Sequence, residues 1–179
     1  MNTLFDFIGK YKPRVNQEIE AEIEKRLKEV SQISPHLTPI LQAMKELSIG
    51  GKRLRAMLAI LGYEISVQRK VGIVESDRKL PEDIIKAATV MELFHLGLLC
   101  WDDVFDRDGK RRGVATIHAR YDDLHLGEAM AVSAGGFTFA WGLEILAKLD
   151  MDKDRVAKAM AVWGKYFARV GYGEALDVL

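Results

Sequence analysis

The sequence predicts an all-α fold, and three observations carry that prediction. Only four prolines occur in 179 residues, at positions 13, 35, 39 and 81. The long intervals between them are rich in Ala, Leu, Glu, Lys and Met, residues that lose little side-chain freedom in a helix. No sustained alternation of apolar and polar residues asks for a sheet. A chain of this length buries one substantial core, so a single domain over 1–179 is expected.

The elements follow in order. Ile19, Ile23, Leu27 and Val30 recur at helical spacing with charge between them, which predicts an amphipathic helix over 14–31. Pro35 and Pro39 punctuate the chain, and a short second helix covers 36–47. Gly50-Gly51 interrupts the pattern before a third helix over 52–65. Residues 66–80 are polar and irregular, a connection with room for a weak strand pair. Pro81-Glu82-Asp83 is a helix start, since proline suits the first turn and acids favour its positive end. That fourth helix runs through about Phe105, and Arg107 to Gly113 is its charged exit. Two further helices, over 120–149 and 153–178, meet at a turn near Leu149 to Asp152. An up-down four-helix bundle fits this much equally well.

Composition narrows the function. With 49% hydrophobic and 29% charged residues, general disorder is excluded. The 26 basic and 26 acidic side chains cancel, which removes any global attraction to nucleic acid or an anionic membrane. Cys100 is the only cysteine, so no internal disulfide forms and a reducing compartment fits. The N-terminus lacks the basic region of a signal peptide. No run of about 18 uncharged apolar residues occurs, so no transmembrane segment is expected. A cytoplasmic location is the corresponding expectation.

One cluster stands out. Asp102 and Asp106 lie only about 40° apart on a helix, and His95 falls close to the same line. Asp103, about 100° away, reaches the edge of that face. Like charges four residues apart destabilise a bare helix, and a divalent cation would reverse the sign. Magnesium suits the arrangement, because it bridges one or two carboxylates to phosphate oxygens while keeping waters. Arg107, Lys110, Arg111 and Arg112 follow at once, and the arginine fork matches phosphate geometry. From spacing alone, a helix end with ordinary surface ion pairs explains the cluster as well. The apolar run Leu96 to Trp101 before it favours a pocket wall.

A second cluster is Gly50-Gly51-Lys52-Arg53-Leu54-Arg55. Lys52 and Arg55 share a helix face, and the glycines permit close backbone approach. A helix cap with a solvated basic turn is the plainer reading. It is not a nucleotide phosphate loop, which needs a strand and longer glycine spacing. His36, His118 and His125 have no zinc-ligand spacing, Cys100 reads as a small buried residue, and Tyr121-Asp122-Asp123 reads as solvated helix. Trp141, Trp163, Phe137, Phe139, Tyr166 and Phe167 fill helix interfaces. Glu174 and Asp177 share a late helix face and are either plain surface or water-mediated metal contacts.

Taken together, these motifs resemble the N-terminal part of the trans-isoprenyl diphosphate synthases, the polyprenyl synthase family, of the geranylgeranyl or farnesyl diphosphate synthase kind. The resemblance rests on Gly50-Gly51-Lys52-Arg53-Leu54-Arg55, on Glu92-Leu93-Phe94-His95, and on Asp102-Asp103-Val104-Phe105-Asp106 with Arg111-Arg112-Gly113. Ala115 to His118 and Gly173-Glu174-Ala175-Leu176-Asp177 extend it. A lone aspartate-rich motif is weak, whereas this succession is specific.

The resemblance implies an isoprenoid synthase-type helical bundle, usually homodimeric, that condenses isopentenyl diphosphate with an allylic diphosphate using Mg2+. Asp102 and Asp106 would hold magnesium with Asp103 supporting them, and Arg111 would contact the allylic diphosphate. Lys52, Arg55, His95 and Arg112 would hold isopentenyl diphosphate, with Glu174 and Asp177 near the metals. Gly97 and Leu98 stand where aromatic residues shorten the product, which leaves room for a longer one unless another helix closes the space. Terpene cyclases also carry aspartate-rich helices but lack the cluster of Lys52, Arg55 and His95.

Several positions depart from the family pattern. Ala56 replaces a usual proline, Trp101 a polar residue, Gly136 an aspartate and Glu174 a glutamine. The family's second aspartate-rich motif and its Lys-Thr pair are absent. The bundle is therefore expected to be incomplete on its C-terminal side and to turn over little by itself, needing a missing C-terminal half or a complementary synthase subunit. An exposed apolar surface would accompany that state. The alternative, a non-catalytic helical interaction or regulatory subunit, would be covered by polar residues.

Overall fold

The computed structural model describes residues 4–71 and 80–179. Six long helices dominate: α1 (Leu4–Ile33), α2 (Thr38–Ser48), α3 (Leu54–Val71), α4 (Glu82–Phe105), α5 (Leu124–Lys148) and α6 (Lys153–Asp177). Short 3-10 turns at Pro35–Leu37 and His118–Arg120 and a small hairpin, β1 (Lys110–Arg111) with β2 (Val114–Ala115), connect them. The all-α expectation holds.

Three boundaries differ from the sequence reading. Helix α1 begins well before position 14, because Phe7, Tyr11, Val15, Ile19 and Ile23 form one continuous buried stripe. Pro13 lies inside it on the exposed side, where its missing N–H leaves nothing buried unpaired. Helix α3 continues through residues 66–71, which were expected to be a connection, while the strand pair considered for 66–80 falls largely on 72–79, outside the described residues. Finally, residues 120–123 are not α-helical: Arg120 ends a 3-10 turn and 121–123 are irregular. Helix α5 starts at Leu124, where the Asp123 carboxylate accepts the Leu126 N–H at 2.8 Å.

Helix α4 is the hub, packing against α5, α3 and α1. Its contact with α5 is close because small residues face large ones. A Cβ at Gly97 would lie 2.1 Å from Thr138 Oγ1 and 2.9 Å from the Gly135 carbonyl, and one at Gly142 would strike the Phe94 ring. The space that Gly97 suggested is thus closed by α5. By length and composition α4 and α5 would suffice to cross a bilayer, which counting uninterrupted apolar residues did not register. In α4 that apolar stretch is 61% buried inside the bundle, as in a core helix.

Helix α6 is different. Val156 is its only buried residue, and Val162, Tyr166, Val170, Tyr172 and Leu176 are exposed. Helix α6 thus presents an exposed apolar stripe rather than a polar outer face.

Gly97→Ala should overpack the α4–α5 seam and cost about 1–3 kcal/mol in urea unfolding. Gly136→Ala, with nothing within 4 Å of the new Cβ, should instead gain up to about 1 kcal/mol.

Candidate active site

The last turns of α4 carry the acids, and the hairpin brings the base back to them. Arg112 and Gly113 form its two-residue turn with φ of 54° and 82°, the left-handed pair of a type I′ turn. The register Lys110 with Ala115 and Arg111 with Val114 fixes the Arg111 backbone. Thr116 secures the hairpin root, its Oγ1 donating to the Asp108 carbonyl at 2.7 Å. Arg111 then spans both neighbouring acids: Nε donates to Asp103 Oδ1 at 2.5 Å and Nη2 to Asp102 Oδ2 at 2.6 Å. Burial raises the Asp103 pKa against the pull of Arg111. Burial also works against the Arg111 charge, but the bonds and fields of Asp103 and Asp102 outweigh it and hold the guanidinium charged. Asp106 caps α4 and is exposed, its N–H donating to the Asp102 carbonyl at 2.8 Å.

The second wall is the loop before α3. Gly50, Gly51 and Arg53 all have positive φ, at 84°, 80° and 55°. Arg53 tolerates that backbone because its buried side chain is held from three helices. Nε donates to Asn16 Oδ1 at 2.8 Å on α1, Nη2 to the Ser48 carbonyl at 2.5 Å on α2, and Nη1 lies 3.7 Å from Glu92 Oε2 on α4. Burial is the main reason its pKa falls. Glu92 Oε1 also accepts the Ala56 N–H at 3.0 Å, capping α3. Ala56 therefore has a specific use, since proline there would supply no N–H. Gly51 is needed for approach as well as conformation: a Cβ would sit 3.3 Å from both terminal nitrogens of Arg112, whose Nη1 also reaches the Ile49 carbonyl at 3.3 Å.

His95 lies between the two walls. Its pKa is lowered to about 4, first by burial and then by the fields of Arg55, Arg112, Arg111 and Arg53. The fields of four guanidinium groups thus reach one half-buried imidazole, and Arg53 and Arg112 line the same cleft as His95. The structure joins Asp102, Asp103 and Arg111 by ion pairs and sets His95 and Arg112 along one cleft, while Arg55 is exposed. Lys52 is exposed on the same loop, and Asp106 is exposed at the end of the acidic face.

Among the described residues, Glu174 and Asp177 form no hydrogen bond or ion pair with this group. Glu174 is half-buried and Asp177 exposed. Their direction is nevertheless set by ring contacts. Trp163 meets Phe94 at 4.2 Å and Phe167 meets Trp101 at 6.4 Å, so α6 runs in the same sense as α4 there. Glu174 shares the Phe167 stripe about two turns further on, toward the acidic end of α4. Phe139 lies against Phe94, Trp101, Trp163 and Phe167, an apolar stack beside the acidic face. Trp101 is accommodated by Gly135, where a Cβ would be 2.1 Å from Nε1, and by donation to the Val132 carbonyl at 3.0 Å.

Sequence reasoning gave no role to Arg53, Glu92 or Asn16. The signal for Glu92 was present: a lone acid inside an apolar helix stretch needs a buried partner. Among the described residues no group of three or more His, Cys, Asp or Glu side chains is gathered to hold an ion. Asp102 and Asp106 still suit magnesium, which takes one or two carboxylates and completes its shell with water and phosphate.

A helical bundle with an acidic helix end facing converging guanidinium groups defines an isoprenoid synthase-type fold. Two solved structures share it: geranylgeranyl pyrophosphate synthase from Corynebacterium glutamicum, complexed with isoprenyl diphosphate and magnesium, and geranylgeranyl pyrophosphate synthetase from Pyrococcus horikoshii. Their TM-scores are 0.71 and 0.68 at 22% and 23% identity, over 86% and 95% of this chain and 45% and 46% of theirs. The profile of the family described as Polyprenyl synthetase matches residues 38–179, and the chain belongs to that family. It is 35% identical over 129 residues to a geranylgeranyl diphosphate synthase of Methanosarcina mazei, covering 72% of this chain and 35% of the relative. It is 30% identical over 179 residues to a short chain isoprenyl diphosphate synthase of Methanothermobacter thermautotrophicus, covering 99% and 47%. The chain thus spans less than half the length of these relatives.

Glu92→Gln should leave Arg53 buried without a counter-charge and cost about 3 kcal/mol, the low end for a broken buried pair because the ions are 3.7 Å apart. Thermal unfolding of Ala56→Pro should show a smaller loss from the same joint. For His95, the folded pKa of about 4 lies below the ordinary 6.5, so the unfolded chain binds more protons between those values. Stability should fall as pH drops from 6.5 to 4, and His95→Gln should flatten that part of the profile in chemical unfolding.

Proposed function

We propose that this chain carries the diphosphate-binding half of a magnesium-dependent prenyltransferase that condenses isopentenyl diphosphate with an allylic diphosphate. The observation that carries the reading is that Arg53, Arg112 and His95 line one cleft while Arg111 is held on Asp102 and Asp103 at the acidic end of α4. Like charges do not gather at a half-buried imidazole without cost, and a polyanion between them removes that cost.

Each residue then has a defined task. Magnesium, held by Asp102 and Asp106 with water and diphosphate oxygens, would supply Lewis-acid stabilisation of charge on the departing diphosphate. Arg111 offers its fork to the allylic diphosphate, and Lys52, Arg55 and Arg112 take the isopentenyl diphosphate. His95, neutral in the free protein, gains a stronger hold on its proton when an anion offsets the arginines, and so donates to a phosphate oxygen. The stack of Trp101, Phe139 and Phe167 gives the hydrocarbon an apolar wall, and its ring faces favour positive charge developing on the allylic carbons. The isopentenyl double bond attacks that carbon as the carbon–oxygen bond to diphosphate breaks, and the departing diphosphate takes the proton whose loss completes the product.

The remaining wall corresponds to the part of the longer relatives that this chain does not span. The exposed apolar stripe of α6 supports a covered state in the working enzyme, formed by further helices or a complementary subunit. A self-contained regulatory module is less well supported, since its outer helix would be polar.

Incubating the chain with both diphosphates and magnesium should give magnesium-dependent binding of the allylic diphosphate, read by calorimetry, with little or no elongation. Rapid elongation by the chain alone would overturn the half-site reading. No binding of either diphosphate would overturn the whole assignment.

A further inference from the structure

A separate cavity of about 500 Å3 takes none of its lining from α4. Its walls come from the turn before α2, from the turn before α5 and from those two helices. Pro35 and Pro39 supply a wall with fixed backbone and no N–H. Ser34 closes their 3-10 turn, its hydroxyl accepting the His36 N–H at 3.3 Å. Ile40, Ala43 and Ile117 are buried and make the floor, and Met130 of α5 adds a side chain that adapts to an apolar guest. A volume of this size, lined mainly by carbon and built into packed helices, is that of a small-molecule site.

The polar part of the lining is a guanidinium, an imidazole and a phenol, from Arg120, His36 and Tyr121, with no carboxylate. Arg120 is already aimed: Nε and Nη2 donate to the Ala115 carbonyl at 3.1 and 3.0 Å, and Nη2 also to Glu46 Oε2 at 2.7 Å. Its Nη1, the His36 ring and the Tyr121 hydroxyl have no protein partner among the described residues. An uncharged apolar guest would leave Nη1 without an acceptor. A diphosphate would meet too little positive charge, since one guanidinium shared with Glu46 is the only permanent cation in the lining. One negative charge on an apolar body matches what remains.

We propose that this cavity binds an amphipathic monocarboxylate, its apolar body between the prolines and Met130 and its carboxylate on Nη1 of Arg120. Glu46 competes with that carboxylate for the same guanidinium. Ala115, which holds the other nitrogens, pairs with Lys110 in the hairpin, so a carboxylate that fixes the guanidinium plane also steadies the hairpin. Neither step depends on what binds at Asp102.

Decanoate and decanol share a tail and differ in the head, and calorimetry of the whole chain with each tests the site. Decanoate should bind, and its failure to bind overturns the proposal. Arg120→Gln should weaken decanoate about tenfold, the loss of one charge-assisted hydrogen bond, and leave decanol unchanged. Equal losses for both would overturn the carboxylate contact. Glu46→Gln, which removes the competitor, should tighten decanoate about threefold, and weaker binding overturns the competition. The Met130 methyl resonance, assigned with Met130→Leu, should shift as decanoate is added. A shift confined to other methionines, or one that follows dilution of the chain and marks a second copy as the occupant, overturns the cavity assignment. The Thr116 N–H, which donates to the Gly109 carbonyl at 3.2 Å at the hairpin root, should exchange several-fold more slowly with decanoate bound. Unchanged exchange overturns the link to the hairpin while the site itself stands.

Discussion

The buried joint between Arg53 and Glu92 is the constraint on which the site depends. A guanidinium nine-tenths or more removed from water carries a large desolvation cost, and it is stable here because Asn16, the Ser48 carbonyl and Glu92 meet it from α1, α2 and α4. Those bonds hold Arg53 in a left-handed backbone that an ordinary side chain disfavours. They also set where α3 begins, because the second oxygen of Glu92 receives the Ala56 N–H. Lys52 and Arg55 flank this fixed point. The field of Arg55 reaches His95 from the first turn of α3, beside the loop that the buried Arg53 holds in place.

Helix α4 organises everything else by dividing its circumference. Phe94, Leu98 and Trp101 share one side, where Phe94 and Trp101 meet the aromatic residues of α5 and α6. His95, Asp102 and Asp106 lie on the next side, facing the cationic loop and hairpin. Glu92 and Asp103 lie further round, buried, and each bonds an arginine that comes from another element. The charged and the apolar surfaces thus lie on one rigid helix, about a quarter-turn apart. Under the proposed function, an amphipathic diphosphate would set its charge against the guanidinium groups and carboxylates and its hydrocarbon against the stacked rings.

Much of this was legible beforehand. The periodic apolar residues specified helices, and Pro81-Glu82-Asp83 located the start of α4 because proline and acids suit that end. The ordered motifs from Gly50 to Arg112 marked the cationic and acidic walls, and helical spacing put His95, Asp102 and Asp106 on one face. The hairpin was not legible. Two residues per strand give no alternation, and its turn needs left-handed backbone at Arg112, a residue type that does not advertise it. The extent of α1 was also hidden, since Pro13 reads as a breaker while its cost depends on whether the lost bond is buried.

The sequence by itself determined the all-α class, the family, and which charges stand at which helix ends, because helical period and motif spacing are local properties. Only the tertiary structure decided that Asp103 turns inward and Asp102 outward, and that one arginine joins them. It also closed the space beside Gly97, where absence of a side chain looked like room and proved to be the contact surface for α5. The reason is common to all three: burial and partnership are set by what another segment brings alongside, and no local pattern encodes a neighbour that lies elsewhere in the chain.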